Sequence, residues 1–135
     1  MLTVFHREDS KIVIDEICSF FISAIHKDSR MRRAYREVGI LDIIVKIILH
    51  LSRKFANLSR IKPSAALDFS PSLIQNYGSI TDLLVLLLED SENQIYFRRD
   101  VGRDIYDCLL VHGIQIDTLK VIRVFLIFFL KIRPS

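Results

Sequence analysis

Four histidines, two cysteines and a few adjacent acid pairs are the residues of this 135-residue chain whose types suit covalent or metal chemistry. His6, His26, His50 and His112 have neither HExxH spacing nor a cysteine close in sequence, so no metal site is expected. Cys18 and Cys108 stand singly in apolar stretches and no CxxC occurs; a thiol so placed packs as a small hydrophobe. Two such thiols make no disulfide framework, which points to a reducing, cytoplasmic compartment. The pairs Asp15-Glu16 and Glu89-Asp90 fall at helix surfaces or ends, where solvation and capping explain them. An acid–base dyad needs two carboxyls in a cleft with separated pKa values. GxSxG, GxxxxGK[ST] and GxGxxG are all absent, and four glycines are too few for a phosphate cradle. The expectation is a chain without catalysis, cofactor or metal.

Binding chemistry has more to work with. Asp42, Lys46, His50 and Arg53 are spaced four, four and three apart, the step of one helix face, in a segment otherwise made mostly of Ile, Leu, Val and Phe. Asp42 and Lys46 also have the favourable acid-before-base i,i+4 order. Such a stripe is either an ordinary exposed edge or the lining of a partner-binding groove. Arg30, Arg32, Arg33 and Arg36 form a second cluster, followed by Arg53, Lys54, Arg60 and Lys62. Residues 1–62 carry 12 Lys/Arg against 7 Asp/Glu, a balance of +5, and residues 63–135 carry 7 against 9, or −2. The cluster is either a solvated helix face or a contact for anionic phosphates. Nucleic acid is the weaker partner class, because Tyr35 and Phe55 are expected inward and supply no stacking platform among the basic residues.

Helices must position these residues. Half the chain is hydrophobic and the net charge is only +3, which excludes disorder, while the low Gly and Pro content excludes collagen, linkers and a turn-rich β-sandwich. One domain, 1–135, fits the length. Residues 1–8 are too polar for a signal peptide, and the longest apolar runs, 124–130 and 83–88, fall far short of the roughly 20 residues of a membrane span. In 10–27, Ile14, Ile17, Phe21 and Ile25 share one side and Glu16, Ser19, Ser23 and Lys27 the other, with Asp9 as N-cap. A short helix, 29–38, turns Met31, Ala34, Tyr35 and Val38 inward and its arginines outward, and Gly39 ends it in the left-handed conformation. A long helix runs from 40 to about 56. Pro63, Pro71, Gly78 and four serines mark 58–78 as a loop, with room for one helical turn near Leu73 to Tyr77. Helices resume over 79–90, 92–101, 103–112 and 117–132, with Ser91 and Gln94 at capping-box spacing and Gly102 and Gly113 as stops.

The two halves echo each other at an offset of 63. Arg36, Glu37, Val38 and Gly39 fall on Arg99, Asp100, Val101 and Gly102, and Ile17, Phe20 and Phe21 fall on Ile80, Leu83 and Leu84. Each unit reads as long helix, short helix, glycine, long helix: one over 10–57, one over 79–113, and the start of a further unit at 116–132. Subtracting the loop leaves about 40 residues, the armadillo or HEAT period. The fold expected is therefore all-α, an armadillo/HEAT-like helical solenoid segment of about two repeats. Such units stack because none buries its apolar face alone. A protein partner, a further chain segment or a second copy should then cover the last helix, and the chain is expected to be part of a longer solenoid or a shortened relative of one.

Residues 31–49, MRRAYREVGILDIIVKIIL, look like the join between the second and third helices of an armadillo repeat, and 93–102 is a weaker second example. The segment RRAYREVGIL also resembles the armadillo-like region of large BEACH-domain proteins, the beige and neurobeachin group, its fungal members above all. That resemblance implies a scaffold region in proteins of vesicle traffic and autophagy. It departs from nuclear-import armadillo proteins, which line their groove with tryptophan and asparagine, since the chain has no Trp and 40–54 has no Asn. The expected role is a non-catalytic protein-binding or scaffold module, with Asp42, Lys46, His50 and Arg53 lining its groove. The alternative is a peripheral membrane module using Arg30, Arg32, Arg33 and Arg36 together with the apolar last helix.

Overall fold

The computed structural model describes the backbone of residues 10–61, 63–116 and 118–131, and all of its regular structure there is helical. The expected N-cap Asp9 lies outside these residues. Helix α1 spans Ser10–Lys27. Its apolar period places Ile14, Cys18 and Ile25 in the core and leaves Glu16, Ser19, Ser23 and Lys27 exposed. His26 and Lys27 occupy the last turn, where positive charge complements the helix dipole. The chain then turns on Asp28, whose carboxylate accepts from the Arg30 backbone N–H at 3.0 Å.

Helix α2, Met31–Glu37, buries Tyr35 edge-on against Phe21 with ring centroids 4.8 Å apart. Val38 is exposed rather than inward, because it caps the helix at φ −91° and its side chain has left the helical face. Gly39 follows at φ +90°, with no atom within 4 Å of a would-be Cβ, so its glycine is required by backbone conformation and not by space. That turn aims α3, Ile40–Ile61, with Leu41, Ile44, Val45, Ile47, Ile48 and Leu51 inward.

The expected loop at 58–78 is instead helix: α3 runs to Ile61 and α4 spans Pro63–Leu87. Pro63 is tolerated because the first residue of a helix needs no N–H donor. Pro71 removes one backbone hydrogen bond, but the stretch that follows is anchored by buried Asn76, Tyr77, Gly78, Ile80 and Thr81. Buried Thr81 satisfies its hydroxyl within the helix by donating to the Tyr77 carbonyl at 2.7 Å.

Helix α5, Ser91–Tyr96, starts from Asp90, which accepts from the Asn93 N–H at 3.0 Å, so the cap lies one residue before the expected Ser91. From there one helical path continues through a π-helical turn at Phe97–Val101, α6 at Gly102–Cys108, a second π-helical turn at Leu109–Gly113, and α7 at Ile114–Ile116. Gly102 and Gly113 therefore lie inside helix and are not stops. Gly113 serves close packing: a Cβ there would collide with the Tyr77 hydroxyl and come within 2.9 Å of Val121 Cγ2. Helix α8, Thr118–Lys131, closes the fold with Val121, Val124 and Ile127 inward.

Neighbours follow a regular order. Helix α4 packs against α1, α3 and α8, while α2 meets α5 and α3 meets α6. Over the first helix of each half the 63-residue echo is partial: Ile14 and Tyr77, Cys18 and Thr81, and Ile25 and Leu88 are all buried, but Phe20 is 69% exposed where Leu83 is buried. It fails beyond the glycines. Ile105, Leu109, Gly113 and Ile116, which are buried, stand 63 residues after Asp42, Lys46, His50 and Arg53, the polar stripe of α3. The left-handed Gly39 reorients the chain before α3, whereas Gly102 continues a helix, so equivalent positions face opposite ways. The subtraction that yields a 40-residue period also falls, since the segment subtracted is not a loop.

Candidate functional site

The arginine cluster of α2 is built into the protein. Arg32 donates from Nε to the Leu86 carbonyl and from Nη2 to Glu89, both at 2.8 Å. Arg33 pairs with Glu92 at 3.2 Å, and Arg36 reaches the same carboxylate at 3.4 Å and Glu37 at 3.7 Å. Arg32 and Arg36 are therefore mostly covered rather than outward. Arg30 remains outward and pairs with Asp28, holding that carboxyl below its ordinary range through hydrogen bonds to its side chain and backbone. Ser29, Arg30, Arg32, Arg33, Glu89 and Asp90 line an open cleft of about 430 Å³ in which the two signs of charge face each other.

Beneath that cleft lies a polar junction that sequence reasoning missed. Asn93 is fully buried, and its Nδ2 donates to the carbonyls of Arg32 at 2.9 Å and Leu87 at 2.8 Å, while Gln94 donates to Leu88. With Arg32 on Leu86, three side chains satisfy carbonyls where α4 ends. The sequence signal was the Asn93-Gln94 pair three residues after the capping Asp90, and its target carbonyls, all outside α5, were out of reach of pattern reading.

The α3 stripe is divided by its partners. Asp42 accepts from the Tyr96 hydroxyl at 2.8 and 3.0 Å, so it ties α3 to α5 and forms no pair with Lys46. The same bond, with burial, raises the Tyr96 pKa. Lys46 and Arg53 are exposed and His50 is half-buried. The cleft described above is lined by none of the four. A small apolar gap of about 20 Å³ between α1, α3 and α4, lined by Cys18, Phe21, Ile44 and Ile80 among others, offers a water no polar partner. Cys18 is a buried thiol pushed up to about 12 by burial, with Asp15 and Asp82 adding to it, so it is held protonated and inert.

Two further carboxylates join helices. Asp15 on α1 accepts from Gln75 and, at 2.6 Å, from Ser79 on α4. Asp82 on α4 pairs with Lys120 and, at 3.4 Å, with Arg123 on α8. Beside that pair, the outer side of α8 shows exposed apolar side chains among the described residues. Leu119, Ile122 and Leu126 are 75%, 43% and 48% exposed, and their spacing of three and four residues makes one stripe. Residues 128–130, also counted in the apolar run, have side chains outside the described set.

Among the described residues no three His, Cys, Asp or Glu side chains gather as metal ligands, and no helix is long and apolar enough to cross a membrane. The chain matches no protein-family model, no curated protein and no solved structure. The described residues thus form an all-helical protein in which several polar side chains tie one helix to another.

Proposed function

We propose that this chain is a non-catalytic interaction module: a short armadillo/HEAT-like helical stack that binds a protein partner through the outer face of α8. The observation that carries the reading is the Leu119–Ile122–Leu126 stripe, three large apolar side chains in register on a helix whose opposite face is already buried. An apolar seam at this spacing suits a partner helix. The stacking order supports it, since α4 packs against both α1 and α8, and α2 and α3 meet α5 and α6. The resemblance of residues 32–41, RRAYREVGIL, to the armadillo-like region of BEACH-domain proteins supports a scaffold role in vesicle traffic. The arginines of α2 are engaged by Glu89 and Glu92, so the protein-binding reading is favoured over membrane adsorption by that cluster.

The test is a comparison of wild type with Leu119→Gln/Ile122→Gln/Leu126→Gln in quantitative affinity capture. All three side chains point outward, so circular dichroism should show unchanged helicity. The proteins retained by wild type should be depleted from the variant. Identical retention by a folded variant would sink the reading.

A further inference from the structure

We propose that the two π-helical turns are a register device built into the fold: each takes in one residue more than an α-turn, on the outward side, and together they keep one face of the path from Ser91 to Ile116 on the core. The buried positions of that path fall at a strict four-residue step. Asn93, Phe97, Ile105 and Leu109 are fully inaccessible and Gly113 is buried. Position 101 falls in the same series, with its side chain outside the described set. An α-helix advances about 100° per residue, so a four-residue step overshoots one turn by about 40°. Over the five steps from 93 to 113 the drift would reach about 200° and turn Gly113 away from the side that Asn93 faces. A turn closed by i→i+5 bonds takes in one residue more than its α counterpart, which sets the path back by about 100°. The turns at Phe97–Val101 and Leu109–Gly113 therefore cancel the drift between them.

Both ends of the series are pinned, so the drift has to be absorbed inside it. Asn93 donates to the carbonyls of Arg32 and Leu87, and Gly113 lies where any side chain would meet Tyr77 and Val121. The slack is taken up on the outward side: Arg98, Arg99 and Asp100 in the first turn, and Leu110 and Val111 in the second, are exposed. The first half of the chain breaks its path at the left-handed Gly39, whereas here the register is corrected within the helix. A turn of this kind can give up its extra residue. With one residue gone it closes as α-helix, and the residues on either side keep their facing.

The experiment deletes Arg99, Val111 or both from the full chain, and compares them with deletion of Lys46, an exposed residue of α3, which has no π-helical turn to absorb the loss. Far-ultraviolet circular dichroism should show cooperative melts for the Arg99 and Val111 deletions within about 5 °C of the parent. They should cost little more than Arg99→Ala and Val111→Ala, which remove the side chains alone. Deletion of Lys46 should abolish the cooperative melt. A second readout follows register directly: Gly113→Ala should lower Tm by the same amount in the Val111-deleted chain as in the parent, because Gly113 still faces Tyr77. Loss of the cooperative melt on deleting Arg99 or Val111 would overturn the proposal, and so would a Lys46 deletion as mild as these. A Gly113→Ala loss that disappears once Val111 is deleted would overturn it too, since Gly113 would then have turned away from the core.

Discussion

At the scale of single residues, burial sets the chemistry of Cys18 and the backbone sets that of the glycines. Cys18 holds its proton to about pH 12 in the folded state against an ordinary value of 9.0, through desolvation first and then the charges of Asp15 and Asp82. Folding thus binds that proton more tightly. Below pH 9 both states are protonated and the contribution is constant; above it the unfolded chain loses the proton first, and stability falls by up to about 1.4 kcal/mol per pH unit. Cys18→Ala should therefore flatten the fall in Tm between pH 9 and 10, whatever it does to the baseline, and parallel curves would refute this. Above pH 10 Tyr96, held up by its bond to Asp42, and Tyr35 and Tyr106, held up by burial, add the same trend. The glycines separate by cause. Gly39→Ala should cost about 1–2 kcal/mol through left-handed strain, and Gly39→Asn should recover part of it. Gly113→Ala should cost about 1–3 kcal/mol through overpacking, and Tyr77→Phe should relieve part of it by removing the hydroxyl in the way, the Val121 contact remaining. Thermal melts of the single and double variants would test both, and a Gly113→Ala loss unchanged in the Tyr77→Phe background would refute the packing account.

At the scale of elements, the junction of α2, α4 and α5 hangs on Asn93. Its amide NH₂ faces two carbonyls, those of Arg32 and Leu87, which only a donor can satisfy. Asn93→Ala should cost about 1–3 kcal/mol. Asn93→Asp should cost more at neutral pH, because it buries a charge against those carbonyls, and the gap should narrow on acidification as the carboxyl gains its proton. Equal melts at pH 7 would mean the amide is not a donor there. The junction also marks where sequence reading stops. Helix α1 and the Gly39 turn were legible because a 3.6-residue period and a left-handed cap are local signals. The helix at 63–78 was not, since Pro63 and the serines carry loop chemistry locally and only packing around Tyr77 outweighs it. Gly39 and Gly102 follow nearly the same residues and adopt different conformations, which no local rule separates. For the candidate sites, Asp42 and the arginines were recognised as polar clusters, but their partners Tyr96, Glu89 and Glu92 lie more than 50 residues away.

At the scale of the molecule, the arrangement is deep at α4 and shallower at α8. Helix α4 packs against α1, α3 and α8, and Leu83, Leu84, Leu87 and Leu88 are all essentially inaccessible. Helix α8 buries one face and is tied to α4 at its polar margin by Asp82. Local opening free energy follows buried apolar contact, so α8 should exchange its amides well before residues 77–87 of α4. Asp82→Asn isolates the tie. It removes the charge shared by Lys120 and Arg123 while leaving Val121, Val124 and Ile127 in place. A partly exposed pair is worth at most about 1 kcal/mol, so exchange across α8 should accelerate up to about fivefold, with α4 unchanged. A peptide seated on the Leu119–Ile122–Leu126 stripe should act in the opposite direction, slowing α8 exchange by covering its second face. Equal protection of α8 and α4 in the unbound chain would show that α8 is held as firmly as the core, and that its outer stripe is not needed to complete the stack.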